Sequence, residues 1–129
     1  MNELIIVEPV ILFRISQAYS PLMSEKLLYD YTRGQWKLSK ARAEKAKFGF
    51  AVYQGKIKEV YKIHKWYPAG TTMDRDNALI ERKPKDRLKG RYEFVGEIAE
   101  SEIRDKYINR SCSYLFKQGN SNPVMYINC

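Results

Sequence analysis

Phe48-Gly49-Phe50-Ala51-Val52-Tyr53-Gln54-Gly55-Lys56-Ile57-Lys58-Glu59-Val60-Tyr61-Lys62-Ile63-His64-Lys65-Trp66 is the stretch that decides the fold. Phe48, Phe50 and Val52 alternate, Gln54-Gly55 supplies a turn, and Ile57, Tyr61 and Ile63 share one parity of the following run. This pattern predicts a β-hairpin with strands 48–53 and 57–66. Its solvent face carries Lys56, Lys58, Lys62 and His64, and Val60 interrupts the alternation.

Upstream of the hairpin, Ser39 caps a short helix over 40–47 that is rich in Ala, Lys and Glu. Ser24 caps an earlier helix near 24–33. There Glu25 sits in the first turn, Leu27, Leu28 and Tyr31 recur at helical spacing, and Gly34 occupies the place of a C-terminal glycine. Val10–Ser16 reads as a strand between Pro9 and Pro21, with a short strand at Leu4–Val7 before it. Downstream, residues 67–90 read as a loop holding Pro68, Gly70, Pro84, Gly90 and a dense mix of Asp, Arg and Lys. Loops of that length in a small domain are usually functional or disordered. Tyr92–Ile98 is a further strand. Glu100–Tyr107 is a helix with acids at its start and Arg104 and Lys106 later, which suits its dipole. Gly119-Asn120-Ser121-Asn122-Pro123 is a turn, and Val124–Asn128 closes the sheet. The order β-α-α-β-β-loop-β-α-β is α+β. It predicts one compact domain over residues 1–129, with a mixed or mostly antiparallel sheet of about five strands and two to four short helices.

Composition agrees. The chain has 129 residues, 44% of them hydrophobic, with only 5 Pro and 7 Gly, which marks a globular rather than a disordered protein. No apolar run is longer than Val10–Phe13, which is too short to span a membrane. Met1–Val10 carries Glu3 and Glu8 and no basic start, unlike a signal peptide. Cys112 and Cys129 read as reduced thiols of a cytoplasmic protein, and with a single His they make no standard zinc site. No nucleophile elbow, phosphate loop or dinucleotide fingerprint is present, so neither a cofactor nor a metal is expected.

Charge supplies the functional clue. Residues 33–91 hold 17 Lys+Arg against 6 Asp+Glu, a net +11, whereas the flanks carry −2 and −1; together these make the +8 of the chain. Both tryptophans, Trp36 and Trp66, fall in the basic block. Cations interleaved with flat rings suit a polyanion with stackable bases. The expectation is a nucleic-acid-binding module, DNA or RNA. Arg33, Lys37, Arg42, Lys58, Lys62 and Lys65 would hold phosphates, and Trp36, Trp66 or Tyr67 would stack on a base. A plainer reading stands beside each of these: Trp36 and Trp66 as core residues, Tyr67 as a loop anchor, and the lysines as a solvated face.

Other constellations are weaker. Lys47–Tyr53 superficially resembles the aromatic strand of an RNA-recognition motif, but its spacing slips at Ala51. Asp74, Asp76 and Glu81-Arg82-Lys83 offer a loose order of metal-binding acids within the charged loop. An enzyme acting on nucleic acid, a nuclease or a base-modifying activity, would draw its acid–base chemistry from Glu59, Glu93 or His64. A third reading is a protein-interaction module whose basic face meets an acidic partner.

Several spaced motifs run together: Arg14-Ile15 with Tyr19-Ser-Pro, Tyr29–Trp36, Ala51–Tyr61, Trp66-Tyr-Pro-Ala-Gly70, Phe94-Val-Gly96, and Asn120–Pro123 with Tyr126-Ile-Asn128. In them the chain resembles, over nearly its whole length, a family of small bacterial proteins of no established activity. A similar segment accompanies GIY-YIG nuclease domains in larger bacterial proteins. The chain lacks the glycine–tyrosine pair and the helix of such a catalytic core, so the resemblance implies a companion module. The element order, a long loop over a basic hairpin, is also similar to small PUA-like domains. That architecture implies binding of RNA or modified bases, although fold alone does not assign function.

Overall fold

The hairpin forms, but it is twice offset. In a computed structural model that describes residues 4–15, 20, 22–72, 88–116 and 122–129, β3 (Phe48–Tyr53) turns through Gln54 and Gly55 into β4 (Lys56–Pro68). Both turn residues take positive φ, 51° and 76°, the geometry that matches the twist of a two-residue hairpin. Phe50 pairs with Val60 and Ala51 with Glu59, but Val52 pairs with Ile57, so a register shift falls between Ala51 and Val52. A second shift falls between Ile63 and Lys65, where His64 is the extra residue against β5 (Arg91–Ile98). Each bulge flips the parity of the residues beyond it. Ile57 therefore faces away from Tyr61, contrary to the simple alternation. Val60 joins Ile57, and Trp66 turns to the same side as Tyr61 and Ile63.

Further strands and helices complete the frame: β1 (Val10–Arg14), α1 (Glu25–Arg33), β2 (Trp36–Lys37) and α2 (Lys40–Ala43) precede the hairpin. After β5 come α3 (Ser101–Tyr107), a 3-10 turn at Ser113–Leu115 and β6 (Val124–Ile127). The six-stranded sheet runs β2-β5-β4-β3-β1-β6. It is mixed: β1 lies parallel to β3, and every other pairing is antiparallel. The α+β architecture is as expected from sequence. Two-residue β2 was not expected, because it is too short to show a period. Leu4–Val7 forms no strand, although Leu4 is buried. α2 stops at Ala43 rather than Lys47, since the chain must turn for the Lys47 N–H to reach the Pro9 carbonyl (2.7 Å).

Local chemistry sets the helix ends. Ser24 accepts from the Leu27 N–H and Ser39 from the Arg42 N–H, each capping its helix. Gly34 stays extended at φ −134°, and the left-handed position falls on Gln35 instead.

The sheet has a core on each face. Ile11, Phe13, Tyr61, Trp66 and Phe94 meet Leu28 of α1 and Ala43 of α2 on one side. Val10, Leu12, Phe50, Ile57 and Val60 meet Tyr107 of α3 and Cys112 on the other. Phe13 stacks on Phe94 at 5.8 Å and on Trp36 at 5.2 Å between ring centroids. At the second bulge the backbones of β4 and β5 close in. A Cβ on Gly96 would lie 2.1 Å from the Lys62 carbonyl oxygen, so glycine is required there.

Candidate functional site

The basic segment separates into buried and exposed charges. Arg33, expected to hold a phosphate, is 5% exposed at the end of α1. Its Nε donates to Asp30 at 3.1 Å, Nη1 to the Thr72 hydroxyl at 2.8 Å and the Phe94 carbonyl at 3.2 Å, and Nη2 to the Thr72 carbonyl at 2.9 Å. The Thr72 hydroxyl in turn donates to Glu93, which is wholly buried and also accepts from the backbone N–H groups of Gly70 and Thr72, both at 2.6 Å. Arg33 is thus a structural cation that fastens residues 70–72 to β5, and it is withdrawn from the phosphate-binding set. Burying a guanidinium between two carboxylates is tolerable only with its hydrogen bonds made, as they are here.

The tryptophans are corrected too. Trp66 is 5% exposed and donates its indole N–H to the Ala43 carbonyl at 3.1 Å. Its ring lies against Phe13 and Phe94. Only an edge of the ring is left at the surface, where it lines the cleft beside α2. Trp36 is half-buried, donates to the Thr32 carbonyl at 2.6 Å and covers Phe13 with one ring face. The plainer reading of both, as core residues, is the one the geometry supports. Tyr67 is half-buried with the Lys65 ammonium 5.2 Å from its ring centroid.

The exposed cations do converge. The Trp66–Ala43 bond lays α2 beside the outer half of β4, and the Ile63 N–H reaches the Lys47 carbonyl at 2.9 Å. Between the two elements lies a cleft of about 250 Å³ with Lys40 and Glu44 on one wall and His64 and Lys65 on the other. Lys45 and Lys47 are exposed on the chain beside it, whereas Lys62, directly across the sheet from Phe48, turns to the α3 face with that ring and does not join the cleft. Two carboxylates temper the charge: Glu44 lies 3.6 Å from Lys40, and Glu97 lies 3.2 Å from His64. Lys37 is exposed on edge strand β2, one short link from α2. Arg42 is exposed, but its Nη2 donates to the Cys129 main-chain oxygen at 2.8 Å and its guanidinium stacks 4.0 Å over Tyr126. It pins the last strand more than it faces outward.

Lys58 does not join the cluster. It lies near the Gln54-Gly55 turn, seven residues before Lys65 on β4, which is roughly 23 Å at strand rise. Charge by sequence thus overlooked Lys40, Lys45 and Lys47, which hang from a four-residue helix and its exit, and included Lys58, which sits at the wrong end of the hairpin. The capping serine and the run of small and basic residues at 39–47 were the signals for the first group.

The candidate acid–base groups are not brought together. The Glu59 carboxylate accepts from Arg104 at 2.9 and 3.1 Å, Glu93 sits at the buried root of residues 70–72, and His64 pairs with Glu97 on the surface. Asp74, Asp76 and Glu81 to Lys83 lie outside the described residues. Among the described residues no three His, Cys, Asp or Glu side chains converge as a metal site, and no helix is long and apolar enough to cross a membrane. The thiols of Cys112 and Cys129 are free, and burial pushes that of Cys112 up to about 11.

The chain matches no protein-family model, no curated protein and no solved structure. The resemblances to a small bacterial family and to PUA-like domains therefore rest on sequence motifs and element order alone.

Proposed function

We propose that the chain is a nucleic-acid-binding module that holds the phosphate backbone on the surface formed by α2, the Lys47 corner and the outer half of β4. One observation carries this reading: the Trp66–Ala43 bond sets Lys40 and Lys65 on opposite walls of a single cleft, with Lys45 and Lys47 exposed on the chain beside it. Clustered, exposed, flexible ammonium groups suit a repeating line of phosphates, because each neutralised phosphate releases counterions to the solvent. With Trp66 largely buried, base stacking falls to the half-buried rings of Trp36 and Tyr67. The binding is then mainly electrostatic and indifferent to sequence.

The test is fluorescence anisotropy with labelled duplex DNA, single-stranded DNA and RNA. With about four phosphate contacts the duplex affinity falls on the order of a hundredfold between about 50 and 200 mM salt. No binding to any of the three at the lower salt overturns the reading, and a co-purifying acidic protein would then identify the surface as a protein interface.

A further inference from the structure

A second cleft lies away from this surface, at the opposite end of the hairpin. Its volume is about 430 Å³, within the usual range of roughly 300–1,000 Å³ for small-molecule sites. It opens where β1 and β3 end side by side, and these are the parallel pair of the sheet. Ligands of mixed and parallel sheets favour the carboxyl ends of parallel strands, where the chain leaves in different directions and a crevice remains.

The residue types there break a core pattern. Along β1, Val10 and Leu12 point to one face and are wholly buried. The next position on that face is Arg14. Its guanidinium carbon lies 4.6 Å from the centroid of the Phe116 ring, and both residues line the cleft. A guanidinium against a ring is held in place by it, and guanidinium groups pair with carboxylates and phosphates. The far rim is built just as firmly. The Gly55 carbonyl accepts from the Cys112 N–H at 2.7 Å, and the turn lies so close that a Cβ on Gly55 would sit 3.0 Å from the Ser113 Cβ. This rim of the cleft is therefore fixed by the backbone. Tyr53 adds a second ring to the lining, and Gln54 and Ser113 add an amide and a hydroxyl. The adjoining Cys112 thiol is buried and stays protonated at neutral pH, which favours binding over nucleophilic chemistry.

We propose that this cleft binds a small organic anion bearing a flat ring. Arg14 holds the anionic group, Tyr53 and Phe116 contact the ring, and Gln54 and Ser113 hydrogen-bond its polar edge. The inference is independent of the polyanion surface: Lys56, beside the turn, and Lys65 are nine residues apart on β4, roughly 30 Å at strand rise.

A nucleotide and an aromatic carboxylate share this chemistry, so the probes separate them: adenosine monophosphate, 4-hydroxybenzoate, adenosine without phosphate, and inorganic phosphate without a ring. Amide chemical shifts of the 15N-labelled chain report each titration. At least one of the two ring-bearing anions is expected to saturate shifts at Gln54, Gly55 and Ser113 below about 10 mM, with adenosine and inorganic phosphate at least about tenfold weaker. Arg14→Met is expected to weaken that probe about tenfold or more, since it removes a charged hydrogen-bond donor. Gln54→Gly, which suits the left-handed turn position, weakens it severalfold and serves even where the Arg14 variant does not fold. Shifts confined to amides near Lys40 and Lys65, no saturable shift at the turn with either ring-bearing anion, or wild-type affinity in a folded Arg14→Met or Gln54→Gly variant overturns the proposal.

Discussion

Two regions of the basic segment carry similar residues and use them in opposite ways. Around Arg33, charge is inside: Asp30, Arg33 and Glu93 are 4%, 5% and 0% exposed, and their hydrogen bonds are spent on Thr72, Gly70 and the Phe94 carbonyl. Around Lys65, charge is outside, on side chains whose ammonium groups reach into water. The first arrangement costs desolvation and returns a fixed backbone. The second costs little and returns a surface whose strength depends on salt. A net charge of +8 says nothing of this division, because burial decides which cations are available to a partner.

The largest expected effect lies at the buried end. Arg33→Met leaves Asp30 and Glu93 buried without their shared cation, a change that costs about 3–5 kcal/mol when a buried pair is broken. Urea unfolding reads this as a lower midpoint at unchanged slope. A loss below about 1 kcal/mol would show that Arg33 is solvated as a surface charge, and would return it to the phosphate-binding set.

A second test lies where the backbones of β4 and β5 touch. Gly96→Ala forces a methyl against the Lys62 carbonyl and is expected to cost about 1–3 kcal/mol as overpacking. The Gly96 N–H donates to the Tyr29 hydroxyl at 2.9 Å, so the shift also loosens α1. Unchanged stability would mean that the second bulge rearranges freely, and that the orientation of Trp66 is not set by it.

These two sites mark where the sequence was readable and where it was not. The alternation of Phe48, Phe50 and Val52, the Gln54-Gly55 turn and the Ser24 cap each depend on neighbours a few residues apart, and all of them appear in the structure. The bulges at Ala51/Val52 and Ile63/Lys65 depend on what lies across the sheet, and nothing local in Ile57 to Trp66 announces them. They decide which of Ile57, Tyr61 and Trp66 face together, and hence that Trp66 is core. Arg33 was misread for the same reason: its partners Thr72 and Glu93 are 39 and 60 residues away in sequence (72 − 33 and 93 − 33). The aromatic–cation spacing in the basic block was genuine, but much of it serves packing, as Trp36 on Phe13 does.

At the exposed end, two charge reversals of equal size separate location from total charge. Lys65→Glu adds a repulsive carboxylate within the cluster and is expected to lower duplex affinity about tenfold and flatten the salt slope by about one phosphate. Lys58→Glu, roughly 23 Å along the strand, changes the net charge identically and is expected to move affinity by less than about threefold under physiological salt. Equal losses from both would mean that only total charge matters and that no localised surface exists. Neither variant should shift the urea midpoint appreciably, since both positions are away from the buried network.

The smallest expected effect concerns a pair that belongs to neither region cleanly. Glu8 accepts from the Lys106 ammonium at 2.7 Å and from the Tyr107 hydroxyl, tying the segment before β1 to α3. Partial burial pushes the Glu8 carboxyl up, but the bonds from Lys106 and Tyr107 outweigh it and hold the group below its ordinary 4.5. A carboxylate whose folded value is depressed contributes its stability above the unfolded value and loses it as pH falls through the folded one. The wild-type advantage over Glu8→Gln should therefore be constant near neutrality and should shrink below pH 4.5. Lys106, held above its usual 10.5 chiefly by the same bond, makes the contribution fade again at strongly alkaline pH. Thermal unfolding of both proteins across acid pH measures the difference directly. A gap that persists undiminished to about pH 3, well below the ordinary carboxylate range, would show that Glu8 acts through packing of its side chain on Tyr107 and not through its charge, and would move this pair to the side of the buried network.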